Sequence, residues 1–213
     1  MDALLHETNR FLRGGGFGYA ICGGHAIDLF LGKTTRPHSD IDISARKSDK
    51  RAIIEFMRKS GWEIYEFRGQ GIVRRIVSAS DFLPVRNLMC VKNPCEIVKF
   101  HPCEKGGDYL RHEFFHIGMT AFNYLEFLFN DLDDNDFIFS DDIRRPLCKA
   151  ILHKGSIPFL APEIVLLYKS ADAGRCENAL DFENATAHMD AEQLHWLNLS
   201  LAALYPHGHI WQK

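Results

Sequence analysis

The sequence predicts a mixed α/β domain, with helices against a mixed sheet over residues 1–150, followed by a C-terminal helical region over 151–213. Three features predict it. A short apolar run, Tyr19 to Cys22, is broken by Gly23 and Gly24 and followed by Ala26, Ile27, Leu29, Phe30 and Leu31 before Gly32, which reads as strand, glycine turn and short helix. Runs of aromatic and β-branched residues recur at 62–68, 72–77, 88–92, 122–129 and 137–140, as strands require. From Ile157 onward the pattern turns helical, and Ala161-Pro162-Glu163 puts proline in the first turn of a helix that runs through Ile164, Val165, Leu167 and Tyr168.

The remaining elements follow in order. Leu4, Leu5, Phe11 and Leu12 mark a helix over 2–12 that the glycines from Gly14 to Gly18 end. After a polar loop broken by Pro37, residues Asp40 to Ser44 alternate with period two and read as a strand with one wet face. Ile53, Ile54, Phe56 and Met57 sit among charges ahead of Gly61, an amphipathic helix over 48–60 with a glycine stop. Residues 93–119 give no clear period. Two more helices follow residue 170, the last opened by Asp190 with Gln193 three residues on, a capping pair ahead of Leu194, Leu197, Leu201 and Leu204. There is no internal repeat.

With 46% hydrophobic and 25% charged residues the 213-residue chain has the composition of a packed globular protein. A formal net charge of −3 argues against a surface built for nucleic-acid backbone. The first residues have neither the long apolar run of a membrane span nor that of a secretory signal, so a cytoplasmic protein is expected. Six cysteines at irregular spacing in a chain of this size are expected to be reduced thiols.

Successive strand residues point to opposite faces, so Asp40 and Asp42 should project together while Ile41 and Ile43 enter the core. Two carboxylates on one spot repel unless a cation lies between them, and hard oxygen ligands suit magnesium, usually held by one or two carboxylates plus substrate phosphates. Upstream, Gly23 and Gly24 lie between a strand and a helix N-terminus, where backbone N–H groups and the helix dipole favour a polyphosphate. Lys33 and Arg36 follow as cations able to neutralise triphosphate charge. His25 reads as a turn residue and Asp28 as a supporting one.

The segments Ile21-Cys22-Gly23-Gly24-His25-Ala26-Ile27-Asp28 and Thr35-Arg36-Pro37-His38-Ser39-Asp40-Ile41-Asp42-Ile43 resemble, in order and spacing, the nucleotidyltransferase signature of aminoglycoside 2″-adenylyltransferases and lincosamide nucleotidyltransferases. The resemblance implies the nucleotidyltransferase fold and magnesium-dependent transfer of a nucleoside monophosphate, AMP in the first instance, from a nucleoside triphosphate such as ATP to a hydroxyl. It also implies a third carboxylate on a later strand, as metal ligand or general base. Glu126, a single charge within Phe122 to Phe129, is the candidate, because burying it without a metal or proton partner would be costly; Asp131 and Asp133 are the runners-up. Related sequences more often carry aspartate there.

Residues Ile157 to Lys169, Leu180-Asp181-Phe182 and Tyr205 to His209 are similar to the tail of bacterial nucleotidyltransferase-domain proteins. In those relatives the segment before the Asp-Phe pair reads Lys-Asp-Glu, where this chain has Glu177-Asn178-Ala179. The departure removes a lysine that could touch the nucleotide, leaving Lys169 as its replacement.

Three functions stay open on these residues. One is an enzyme that modifies a hydroxyl of a small molecule, an aminoglycoside- or lincosamide-like antibiotic among them. Another is a toxin-like transferase acting on a protein or transfer RNA, and the third a nucleotide-binding homologue without turnover.

Overall fold

The computed structural model describes residues 3–77 and 86–212; Asp2, assigned to the first helix from the sequence, lies outside them. In chain order the first elements are α1 (Ala3–Leu12), β1 (Tyr19–Ile21), α2 (Gly23–Leu31), β2 (Asp42–Arg46), α3 (Lys50–Lys59), β3 (Glu63–Gly69), β4 (Ile72–Arg75) and β5 (Leu88–Val91). Next come β6 (Val98–Pro102), β7 (Tyr109–Phe114), β8 (Tyr124–Leu132), β9 (Asp136–Ser140) and β10 (Ile143–Pro146). The chain closes with α4 (Leu147–Ala150), β11 (Ile151–Lys154), β12 (Ile157–Leu160), α5 (Pro162–Lys169), α6 (Cys176–Thr186) and α7 (Ala191–Leu204). This is the mixed α/β class that the sequence predicts.

The contacts group the chain into two compact units, one of Met1–Tyr19 with Arg36–Asn130 and one of Ala20–Thr35 with Asp131–Lys213. In the first unit the sheet runs β2-β8-β5-β3-β4-β7-β6. Only β2 and β8 pair in parallel within that run; the other neighbours are antiparallel. α3 buries Ile53, Ile54 and Met57, the face that its spacing predicts, and ends where Gly61 takes φ +81, open to glycine without strain. Phe11 of α1 lies 4.9 Å from Phe56 and 5.8 Å from Trp62, ring to ring. A second cluster, Tyr65, Val73, Met89, Val91, Ile97, Val98 and Tyr124, is buried with Phe100 and Phe114 packed on it. Inside this unit Lys50 and Glu66 form a buried ion pair at 2.9 Å.

In the second unit β12 pairs in parallel with β1, Ile21 opposite Phe159, and antiparallel with β11. The last residues of β8 pair with β9, and β9 with β10. α5 opens with Pro162 in its first turn, as predicted, and buries every residue from Pro162 to Leu167. α7 has the predicted capping box: Asp190 accepts from the Gln193 amide, and the Gln193 side chain accepts from the Asp190 amide. Arg145 holds the fully buried Glu163 at 2.8 Å and Glu192 of α7 at 2.9 Å.

Two expectations need correction, and one stretch left without a reading is resolved. The pattern does not turn helical at Ile157: β11 and β12 form a hairpin across Gly155, at φ +60, and the helix starts only after Ala161. An apolar run of four residues suits a buried strand as well as a helix, and here pairing decides. The unread stretch 93–119 contains the β6–β7 hairpin, whose inward positions include Phe100 and Phe114 opposite His112 and Val98. The strand expected at 40–44 begins at Asp42 and extends to Arg46, and its Ser44 is not wet but buried, accepting from the Asn130 amide at 2.8 Å.

Candidate active site

Parallel pairing of β2 with β8 sets Asp42 directly opposite Glu126 and Ile43 opposite Phe127. Paired residues share a face of the sheet, so the two carboxylates emerge side by side while Ile41, Ile43 and Phe127 are fully buried on the other. Asp40 precedes the strand, yet the chain there is already tied to β8, because the Glu126 amide donates to the Ile41 carbonyl at 3.1 Å. Asp40, Asp42 and Glu126 are all half-buried. The structure thus brings together the three carboxylates singled out in the sequence.

Tyr124 joins them. It stands two residues before Glu126 on β8, on the same face, fully buried, and its hydroxyl donates a hydrogen bond to Glu126 Oε1. The sequence reading passed over this residue; the i, i+2 spacing of a tyrosine and a glutamate on a strand was the available signal. Burial pushes the Glu126 carboxyl up from its ordinary 4.5 to about 7; the Tyr124 hydrogen bond opposes the rise and the Asp40 charge adds to it. Burial also carries the Tyr124 phenol far above its ordinary value, helped by the charges of Glu126, Asp40 and Asp42.

A buried carboxyl raised by desolvation and by a neighbouring carboxylate is one that a divalent cation would relieve. The hard carboxylate oxygens present here are donors of the kind that magnesium takes. Arg36, in the same unit, is half-buried, and its guanidinium donates to the carbonyl of Pro37 at 3.2 Å.

The second unit holds the other residues chosen from the sequence. Gly23 and Gly24 form the first turn of α2, preceded by Cys22 in extended conformation with no side-chain cap hydrogen bond. Gly23 takes φ +63, which side chains rarely adopt. His25, read as a turn residue, lies inside α2 and is buried, because the helix starts at the glycines themselves. Asp28 closes the loop after α2: its Oδ1 accepts from the Thr35 amide at 2.9 Å and the Thr35 hydroxyl at 2.6 Å. Lys33 is exposed just beyond the α2 cap. Lys169, at the end of α5, pairs with the fully buried Asp181 at 3.0 Å and donates to Asn178 at 2.9 Å. Asn178, in the segment that departs from the tail's usual pattern, also donates to the Asp172 carbonyl at 2.9 Å. Asp131 is exposed, while Asp133 accepts from the amides of Asn135 and Asp136 and pairs with Arg144 at 3.2 Å, so it organises the β8–β9 turn.

Two solved structures share the architecture. The solution structure of the antibiotic-resistance factor ANT(2″)-Ia aligns with a TM-score of 0.57 at 12% identity, over 95% of this chain and 91% of that one. The crystal structure of the lincosamide antibiotic adenylyltransferase LnuA, bound to lincomycin, aligns with a TM-score of 0.54 at 14% identity, over 89% of this chain and 98% of that one. At such identities the likeness is one of fold. No curated protein sequence matches the chain. The family of aminoglycoside-2″-adenylyltransferases matches residues 4–113, just over half of the chain. The chain belongs to that family and is a nucleotidyltransferase.

Proposed function

We propose that this enzyme moves a nucleoside monophosphate, AMP from ATP, onto a hydroxyl of a small molecule, with magnesium held by Asp40, Asp42 and Glu126. The observation that carries the reading is the register of Asp42 against Glu126 with Asp40 beside them. When bound, magnesium neutralises phosphate charge and stabilises the attacking and leaving oxygens of an in-line displacement. The chain's own part is positional. β2 and β8 hold the carboxylates at fixed spacing, and the buried Ile41, Ile43 and Phe127 behind them keep that spacing rigid.

The hydroxyl oxygen of the acceptor forms a bond to the α-phosphorus, the bond to pyrophosphate breaks, and the hydroxyl proton must leave. Glu126, opposite Asp42 on the same face, is the carboxylate assigned to this proton if it serves as base in place of metal ligand. Arg36 is assigned to the phosphates in the first unit. In the second unit Gly23, Gly24 and Lys33 keep their nucleotide-binding assignment on the chemistry of a glycine-opened helix N-terminus followed by a cation. Lys169 keeps it as a cation at the end of α5, beside Asp181 and Asn178.

An antibiotic acceptor is supported by the family and by the two neighbours, which are named for antibiotic resistance and for lincosamide adenylylation. Among the described residues no helix is long and apolar enough to cross a membrane, and a cytoplasmic place is part of the proposal. The test is transfer of α-labelled ATP, GTP, CTP or UTP to aminoglycosides and to lincomycin with magnesium. A labelled product that disappears in Asp42→Asn supports the proposal; nucleotide binding with no product from either class moves the acceptor to another compound or to a macromolecule.

A further inference from the structure

We infer that Tyr124 is a positioning residue that holds the Glu126 carboxylate toward a divalent cation, and this rests on the reading of Asp40, Asp42 and Glu126 as the cation site. A glutamate has one more rotatable bond than an aspartate, so on a strand its carboxylate wanders unless something fixes it. Tyr124 supplies the fixing contact. Its ring cannot swing: it is fully buried in the cluster of Tyr65, Met89 and Val91, and Phe114 packs against it with ring centroids 5.5 Å apart. The hydroxyl donates to Oε1 of Glu126. That leaves Oε2 without this hydrogen bond, on a residue whose partner in the parallel ladder is Asp42.

The bland alternative is that the hydrogen bond only satisfies a buried phenol, which needs a partner wherever it lies. The two differ in what a cation senses. Groups that orient metal ligands typically change metal affinity when removed, whereas a phenol merely satisfied changes stability alone.

The test is Mn²⁺ binding to the full chain, followed by the electron-paramagnetic-resonance signal of the free ion, beside the unliganded melting midpoint. Tyr124→Phe is expected to bind Mn²⁺ about tenfold more weakly, with a midpoint lower by only about 2–4 °C. In a Glu126→Asp background, where the shorter carboxylate lies out of the phenol's reach, adding Tyr124→Phe is expected to cause no further loss. Should Tyr124→Phe not fold, Tyr124→Met, which also lacks the hydroxyl, carries the test. Wild-type affinity in whichever single Tyr124 variant is measured, or an equal loss in the Glu126→Asp background, overturns the inference while leaving the cation site in place. Wild-type protein that binds no Mn²⁺ overturns the site and the inference together.

Discussion

Asp42 and Glu126 face each other across adjacent parallel strands, 84 positions apart in sequence and directly paired in register. Burial, with the nearby Asp40 charge adding to it, raises the Glu126 carboxyl at this pair to about 7. A carboxyl whose pKa is higher folded than unfolded favours folding while protonated, and that contribution is lost as pH rises through the folded value. Metal-free protein should therefore lose stability from this group between about pH 4.5 and 7. Urea denaturation across that range should show a slope that Glu126→Gln flattens. An unchanged slope in the variant would mean that Glu126 titrates normally.

Lys169 joins α5 to the fully buried Asp181 of α6. Breaking a buried pair by removing one partner typically costs about 3–5 kcal/mol, so Lys169→Met should lower unfolding free energy by about 3 kcal/mol. Asp181→Asn in the same chain should restore part of it. Denaturant midpoints of the single and double variants check this, and a Lys169→Met chain of wild-type stability would contradict a stabilising role for the pair.

Gly23 opens α2 at φ +63. A side chain there costs about 1–2 kcal/mol, so Gly23→Ala should be destabilised by about that amount, and nucleotide affinity should fall further than stability alone explains if the helix start touches phosphate. Melting midpoints with and without triphosphate separate the two effects.

Much of this was legible in the sequence because it rests on short-range patterns. The period-two alternation around Asp42 announced which side chains share a face, the glycine pair announced a strand followed by a short helix, though the helix takes in the glycines read as its turn, and Asp190 with Gln193 announced the cap of α7. Glu126 stood out as a charge within an apolar strand. What stayed hidden depends on pairing between distant segments. Nothing local distinguishes Ile157 to Leu160 as a strand before β1 and β11 flank it. The β6–β7 hairpin was obscured because His112 takes an inward position in an otherwise readable alternation. The buried partner of Lys169 was not legible because Asp181 lies a helix away, nor was the hydrogen bond of Tyr124, because the strand's pleat decides its partner.

The most direct test of the central claim is thermal unfolding with each nucleoside triphosphate, with and without magnesium, in the wild-type chain, Asp40→Asn and Asp42→Asn. Ligand at about a hundredfold excess over Kd should stabilise the folded chain by about 2.7 kcal/mol, raising the midpoint by about 5–10 °C. The account predicts a rise that needs magnesium, is largest with ATP and vanishes in both variants. A rise that survives both substitutions, or none with any triphosphate, would contradict the assignment of Asp40 and Asp42 to the metal–nucleotide site.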